Sequence, residues 1–248
     1  MTYHVLTGDA LLQSFPKGRL EGSVVIIREC LIEGPVKANS LAAFWEQRKG
    51  YLSEAYPEND IHYADDVVFE FEKLMELQDG DEVNFWFEHD LFCQLNFWFT
   101  LTVLPQKNLT LYRISPIVQN PKMIWHGFGP MSPNELLNCY SSKIQLTPTD
   151  FALGKDLWKA YSNSDMSALS SLSNAVSPSF LHLKEVCKAQ IDRLPDGHQI
   201  GRPERVLKQI LDSGINNFEE AFQAFSEQEG IYGFGDSQIL KIYNQLLA

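Results

Sequence analysis

The fold is decided by residues 82–104, which read EVNFWFEHDLFCQLNFWFTLTVL. The run from Glu82 to Phe87 predicts a strand, and Asp90 then occupies the N-cap position of a strongly apolar helix from Leu91 to Leu104. A short charged segment, Glu88 to Asp90, stands between the two elements. The stretch therefore predicts a strand that ends in charged residues and leads directly into a buried helix.

Strands and helices alternate through the rest of the first half. Ser23 to Ile27 is a continuous run rich in β-branched residues, which is typical of a strand buried on both faces of a parallel sheet. The other predicted elements are strands at 3–7 and 109–115 and helices at 10–15 with a cap at Asp9, at 40–54, and from a cap at Asp66 to a break at 79–81. This alternation predicts an α/β fold: a small, mostly parallel sheet of about four strands with helices on both faces.

The second half shows a different pattern, because only helices are predicted after a glycine-punctuated loop at 125–130. These helices span 133–144, 148–162, 166–172, 180–193, 203–212, 217–227 and 236–247. We predict two domains: a Rossmann-like α/β domain over 1–118 that carries a ligand site, and a helical domain over 119–248. The Gly-Phe-Gly triplets at 127–129 and 233–235 are short enough to recur by chance.

The distribution of charge disfavours nucleic-acid binding. The formal net charge is −12, and residues 61–100 hold ten acidic side chains against one lysine. A general nucleic-acid coat needs an excess of Lys and Arg. The acidic stretch could instead be a docking surface for another protein, although such runs are usually solvated faces.

The cysteines and the apolar runs predict a protein of a bacterial-type cytoplasm. Cys30, Cys93, Cys139 and Cys187 lie far apart and form no CxxC pair, so neither a disulfide framework nor a zinc pattern is predicted. The longest apolar run, 97–104, is too short to span a bilayer, and no signal peptide is recognised.

Polar residues follow the predicted strands at what should be a single edge of the sheet. In an open parallel sheet, ligands bind beyond the carboxyl ends of the strands. The residues at these ends are Gly8 and Asp9, Arg28 and Glu29, Glu88 to Asp90, and Ser115. Each has an ordinary structural explanation, since Asp9 and Asp90 can cap helices and Arg28 can form a rim ion pair. Their convergence nevertheless predicts a ligand site.

The chemistry of this site is open. His89 could be a general base whose pKa the neighbouring carboxylates raise, and Cys93 could pair with it or be a small buried core residue. A Mg²⁺ or Mn²⁺ site built from Asp9, Glu29, Glu88, His89 and Asp90 is conceivable, but the spacing does not support it, so no metal ligands are assigned and the cofactor stays unknown. Neither a GxGxxG fingerprint nor a Walker A pattern is present.

Several basic residues could receive the ligand's phosphate or carboxylate. These are Arg28, Lys37, Arg48 and Lys49. Arg48 and Lys49 are predicted to end a helix, where cations are favourable in any case.

Three blocks of sequence resemble a known family. They are His4-Val5-Leu6-Thr7-Gly8-Asp9, with the pattern H-x-x-x-G-D; Arg28-Glu29 followed by Glu33-Gly34-Pro35; and Trp86-Phe87-Glu88-His89-Asp90-Leu91-Phe92-Cys93-Gln94-Leu95. The chain is similar in these blocks to the bacterial domain of unknown function 1835 family, and its second half to the companion helical domain. Position 10, where a small hydroxyl residue is expected, is Ala10. The resemblance implies a shared fold and a shared site at Gly8, Asp9, Arg28, Glu29, His89, Asp90 and Gln94, but no activity.

We therefore hypothesise that the protein binds a small anionic ligand that is phosphorylated or nucleotide-like. If the protein is an enzyme, it also transforms this ligand. The catalytic candidates are Asp9, His89 and Asp90, and the ligand-binding candidates are Gly8, Arg28, Glu29, Glu88 and Gln94. The alternative is a ligand-sensing or protein-interaction module without catalysis. DNA binding through a helix-turn-helix at 203–225 is disfavoured, because residues 201–248 carry four basic and seven acidic side chains. The oligomeric state is not predicted.

Overall fold

A five-stranded sheet forms the centre of the first half. The computed structural model describes residues 1–57, 62–197 and 199–247. The strands are β1 (Thr2–Thr7), β2 (Ser23–Ile27), β3 (Glu82–Trp86), β4 (Thr110–Ile114) and β5 (Ile144–Gln145), in the spatial order β2-β1-β3-β4-β5. The first four are parallel and β5 is antiparallel to β4. The α/β class with a mostly parallel sheet is confirmed, and a short fifth strand is added to the four that were expected.

Helices account for most of the remaining described residues. They are α1 (Gly8–Ser14), α2 (Leu41–Ala55), α3 (Phe69–Met75), α4 (Leu91–Val103), α5 (Pro133–Ser141), α6 (Pro148–Ser162), α7 (Met166–Leu172), α8 (Leu183–Asp192), α9 (Arg202–Asp212), α10 (Phe218–Glu229) and α11 (Asp236–Leu247). A π-helical turn at Ala64–Val68 precedes α3, and short 3₁₀ helices lie at Pro121–His126 and Gly230–Tyr232. Within the described ranges, no helix combines the length and the apolar character that crossing a membrane requires.

Three local predictions about the helices were wrong. Asp9 does not cap α1, because the helix begins at Gly8 and Asp9 lies in its first turn. Asp66 lies inside the π-helical turn, where its carboxylate accepts a hydrogen bond from the His62 backbone N–H. Arg48 does not end a helix but is buried within α2, so its position reflects the core rather than the helix dipole.

Helices cover both faces of the sheet. On one face, Leu6, Trp86 and Ile114 contact buried side chains of α1 and α5. On the other face, Val5 and Phe85 belong to a larger apolar cluster that includes residues of α2, α3 and α4 and continues into the helices of the second half. This cluster contains residues from both sides of position 118, where the domain boundary stays a prediction.

A carboxylate covers part of the outer side of the edge strand β2. The backbone N–H of Ile26 donates to Oε2 of Glu70, on α3, at 3.1 Å. Lys73 in turn holds Glu70 through an ion pair of 2.8 Å. The unpaired side of β2 therefore has one of its donors satisfied by a side chain of its own molecule.

The order of the strands puts a topological switch point between β1 and β3. The chain passes from β1 to β2 on one side and then returns to place β3 on the other side, so the direction of winding reverses between β1 and β3. Thr7 is opposite Ile27, Leu6 is opposite Trp86, and Trp86 is opposite Ile114, so the carboxyl ends of the four parallel strands are level. Ligands of open α/β sheets bind at such a reversal, beyond the carboxyl ends.

Candidate functional site

The segment from Glu88 to Asp90 lies between β3 and α4 at the carboxyl edge of the sheet. Asp90 caps α4 as predicted, since its side chain accepts a hydrogen bond of 2.9 Å from the backbone N–H of Cys93. Gln94, one turn into the helix, donates from Nε2 to the backbone carbonyl of Glu88. Both side chains are buried, and together they fix the path of the segment that separates the strand from the helix.

Two carboxylates and a thiol meet at the amino end of α4. Oε2 of Glu88 lies 3.6 Å from Sγ of Cys93, and Glu88, Asp90 and Cys93 each offer an atom within 4.8 Å of the others. Oε1 of Glu88 accepts a hydrogen bond of 2.6 Å from the backbone N–H of Phe128. Burial, and then the Asp90 carboxylate, raise the pKa of Glu88 to about 7, and burial also raises the pKa values of Asp90 and Cys93.

The sequence did not point to Arg113, which belongs to the same cluster. This residue of β4 is 2% exposed, and its Nη2 donates to the backbone carbonyl of Glu88 at 3.1 Å. Its guanidinium carbon lies 4.3 Å from the ring centroid of Phe97. Nη1 of Arg113 has no hydrogen-bond partner among the described residues. The signal was available, because period-two alternation places an arginine on the buried face of β4 beside Leu111, and a buried cation needs a partner.

The two Gly-Phe-Gly triplets contact the two carboxylates. Gly127 and Gly233 both have a positive φ, +61° and +63°. A Cβ atom at Gly127 would overlap the carboxyl group of Glu88, and one at Gly233 would overlap that of Asp90. Each carboxylate thus packs against a glycine from a distant part of the chain. Any larger residue at either glycine position would overlap the carboxylate.

His89 is buried against aromatic residues of the second half. Its ring centroid lies 5.2 Å from that of His182, which lies 5.6 Å from that of Trp125. Burial lowers the pKa of His89 to about 3, and the charge of Arg113 adds to the effect. The expectation that neighbouring carboxylates raise this pKa was wrong, because burial desolvates the imidazolium and the nearby charge that acts on it is the cation of Arg113. The polar contacts of Cys93 are to Glu88 and Asp90, not to His89.

Asp9 and Arg28 form an exposed ion pair at the rim. Arg28 donates from Nε and Nη2 to the two carboxylate oxygens of Asp9, at 2.7 and 2.8 Å, and from Nη1 to the carbonyl of Asp66. The side chain of Asp9 is 55% exposed and that of Arg28 27%. The hydrogen bonds from Arg28 lower the pKa of Asp9. Gly8 has φ +72° and open space where a Cβ would lie, so it serves the turn and not a close contact.

Glu29 does not lie at the rim with Arg28. It is fully buried, where its carboxylate accepts hydrogen bonds from Arg48, Tyr63 and the backbone N–H of Cys30. Arg48 is equally buried and cannot receive an external phosphate, as the sequence had suggested it might. The five-residue metal set is therefore not assembled, because Glu29 is already bound by Arg48 in the core.

His4, the first residue of the opening block, is a buried structural residue. Nε1–H of Trp86 donates to its Nδ1 at 3.2 Å, and its Nε2 lies 3.2 Å from the carbonyl oxygen of Glu21. These contacts suit the neutral ring with its proton on Nε2. Burial lowers the pKa of His4 from its ordinary value of 6.5.

We predict that the His4 ring of the folded protein takes up a proton at a lower pH than a histidine of the unfolded chain, whose ordinary pKa is 6.5. Below 6.5 the unfolded chain takes up a proton that the folded chain excludes. The stability contributed by neutral His4 is therefore lost as the pH falls from this value towards the pKa of the folded form, by at most about 1.4 kcal/mol per pH unit. Imidazole nitrogen shifts measured by NMR check this. A His4 ring that becomes protonated near pH 6.5 in the folded protein would contradict it.

The structure brings the predicted residues together as two groups at one edge. Glu88 and Asp90, with Cys93, lie at the start of α4, whereas Asp9 and Arg28 lie at the rim beside α1. Comparison of the chain with protein-family models, curated proteins and solved structures found no match. The function must therefore be inferred from the geometry of this edge.

Proposed function

We propose that the protein binds a small anionic molecule, phosphorylated or nucleotide-like, beyond the carboxyl ends of β1 and β3. The observation that carries this proposal is the strand order, in which the winding reverses between these two strands. Gly8 and Asp9 follow β1 at this edge of the sheet, and the segment from Glu88 to Asp90 follows β3.

Arg28 is the residue that suits the anionic group. Its planar guanidinium already makes two parallel hydrogen bonds to the carboxylate of Asp9, and a phosphate accepts the same fork. Both side chains are partly exposed, and an exposed ion pair contributes only about 0–1 kcal/mol to stability. A ligand that replaces Asp9 as the partner of Arg28 thus exchanges one such pair for another at little cost.

The geometry supports binding more directly than catalysis. Asp9 is the catalytic candidate that solvent reaches, whereas His89 and Asp90 are buried, and Asp90 also caps α4. An imidazole with a pKa of about 3 is a weak base at neutral pH. The catalytic roles of Asp9, His89 and Asp90 remain predictions, and binding is the function we propose.

We expect at least one nucleotide or sugar phosphate to raise the melting temperature in a thermal-shift screen run with and without divalent cations. A ligand at one hundred times its dissociation constant adds about 2.7 kcal/mol to the stability of the folded form. Arg28→Met should abolish the shift while lowering the free energy of unfolding by less than about 1 kcal/mol.

The matched control for Arg28→Met is Arg19→Met. Arg19 is also exposed and hydrogen-bonded, in this case to Oδ1 of Asn134, but it lies away from the strand ends. It should keep the full ligand-induced shift. Equal loss in both variants, or retention of the shift in Arg28→Met, would refute the role of Arg28. A screen in which no phosphorylated compound shifts the wild type would refute the proposal as a whole.

A second candidate function, ligand sensing without catalysis, is favoured by contacts between the helical half and the first half of the chain. Gly233 lies against Asp90, His182 lies against His89, and Gln238 of α11 donates to the Tyr56 hydroxyl at 3.0 Å. Ligand binding at the strand ends would therefore change contacts with the last helices. Hydrogen exchange in α11 that is unchanged by a ligand proven to bind would refute this candidate. DNA binding by α9 and α10 stays disfavoured on charge, and a gel shift at low salt tests it.

We also infer membership of the bacterial domain of unknown function 1835 family and a place in the cytoplasm. Of the three blocks that carry the resemblance, the first includes the end of β1, the second follows β2, and the third runs from the end of β3 into α4. All three therefore lie at the carboxyl edge of the sheet. The four cysteines are all free and buried, which suits a reducing compartment. A solved structure of an undisputed family member with a different strand order would refute the first inference, and cell fractionation tests the second.

A further inference from the structure

We propose that Glu88, Asp90 and Cys93 bind one divalent cation of the zinc type at the amino end of α4, with Arg113 facing a fourth ligand of that cation. This site extends the proposed function. The role of the cation rests on that function, whereas the binding of the cation does not. It differs from the magnesium site considered from sequence in using the thiol of Cys93 and leaving out Asp9 and Glu29.

The spacing of the ligand atoms fits a tetrahedral ion. Zinc binds thiolate sulfur at about 2.3 Å and carboxylate oxygen at about 2.1 Å, which puts the two ligand atoms about 3.6 Å apart across a tetrahedral angle. Oε2 of Glu88 and Sγ of Cys93 are 3.6 Å apart, and all three groups offer atoms within 4.8 Å of one another. Glu88 keeps partial solvent exposure, which gives an ion a path to the site.

The charges of the ligands and of Arg113 would balance around one bound divalent ion. With Glu88 and Asp90 as carboxylates and Cys93 as thiolate, three negative charges face the single positive charge of Arg113. Asp90, Cys93 and Arg113 are buried, where unpaired charge is costly. One divalent ion brings the group to neutrality.

Arg113 supplies the independent observation that a further molecule belongs here. Its side chain is 2% exposed, its Nη2 bonds the Glu88 carbonyl, and its Nη1 has no hydrogen-bond partner among the described residues. A buried guanidinium donor requires an acceptor, and Arg113 is near enough to Glu88, Asp90 and Cys93 for their charges to act on it. A water or a ligand oxygen on the fourth position of the ion is such an acceptor, and three protein ligands with one open position is the arrangement of catalytic zinc sites.

The residues around the cluster hold it as metal ligands are usually held. The Phe128 N–H donates to Oε1 of Glu88 and leaves Oε2 for the ion, and the Cys93 N–H fixes the Asp90 carboxylate. A thiolate among the ligands favours zinc over magnesium, which prefers oxygen ligands only. The cation would also give the ligand's phosphate or carboxylate a second positive partner besides Arg28, because that group could coordinate the ion.

Cobalt titration of the full chain, stripped of metal with a chelator, tests the site. Co²⁺ replaces Zn²⁺ in tetrahedral sites and gives an absorption band when it is bound by thiolate. We expect this band to saturate at one equivalent and to disappear when Zn²⁺ is added. Cys93→Ser should abolish the band. Glu88→Gln replaces one of the three ligands, so it should keep the band at saturation but weaken Co²⁺ binding by more than the roughly tenfold lost when only a supporting partner of a ligand is removed.

The matched control is Cys187→Ser, which removes another buried thiol, in α8. Its band must equal that of the wild type, and far-UV circular dichroism confirms that each variant is folded. No band in the wild type, or a band that survives in folded Cys93→Ser, overturns the proposal. If Co²⁺ binds but no phosphorylated compound shifts the melting temperature, the proposed function fails and the metal site stands. If such compounds bind equally with and without metal, the site fails as the means of holding them.

Discussion

Arg48→Met is expected to lower the free energy of unfolding by about 3–5 kcal/mol, the cost of removing one partner of a buried ion pair. Arg48 and Glu29 are both fully buried, with Nη2 and Oε1 2.7 Å apart. Arg48 also donates to the backbone carbonyls of Cys30, Glu33 and Pro35. Its loss leaves a buried carboxylate without its cation and the loop after β2 without its main donor. Urea unfolding followed by circular dichroism measures the change.

The control is the ion pair between Arg28 and Asp9. Arg28 precedes Glu29 in sequence but bonds Asp9 at the surface. Arg28→Met removes an arginine from a pair of the same type and should cost less than about 1 kcal/mol, since solvent and salt screen an exposed pair. Similar losses in the two variants would show that burial does not set the value of the Arg48 pair.

Gly233→Ala is expected to lower the free energy of unfolding by about 2–4 kcal/mol, because two costs add. A positive φ of +63° is unfavourable for alanine. The new methyl group would also overlap Oδ1 of Asp90, the atom that caps α4. Asp90 is buried, so it can make room only by giving up the cap. The same unfolding measurement applies.

Gly80→Ala separates these two costs. Gly80 has φ +86° but open space where the methyl group would lie. It should therefore show the backbone cost alone, about 1–2 kcal/mol. If Gly80→Ala and Gly233→Ala destabilise the protein equally, the contact between Gly233 and Asp90 contributes nothing.

Local signals in the sequence predicted several of the helices well. The bounds of α6, α7 and α11 agree with the expectation to the residue, and Asp90 caps α4 as expected. The fifth strand was missed, because its two residues, Ile144 and Gln145, become a strand only by pairing with β4. A segment that short has no periodicity of its own, so the end of α5 was extended through it.

The parts of the candidate site that the sequence could not reveal depend on contacts between distant residues. The positions of Gly8 and Glu88 could be predicted, because parallel strands end at one edge of the sheet. Glu29 follows the same strand as Arg28 but turns into the core, because its partner Arg48 lies on α2. The contact of Gly233 with Asp90 joins opposite parts of the chain, and a glycine in a loop does not indicate which residue it will meet.

The bond between Ile26 and Glu70 has a consequence for how molecules of this protein meet one another. A strand from a second molecule that extended the sheet at β2 would have to take the outward amides of this strand, and the Ile26 amide is already occupied. The newcomer would have to displace a carboxylate that Lys73 also holds. Glu70 therefore opposes polymerisation through the edge strand β2. A concentrated solution of a Glu70→Ala variant should form aggregates rich in intermolecular β-structure sooner than the wild type does.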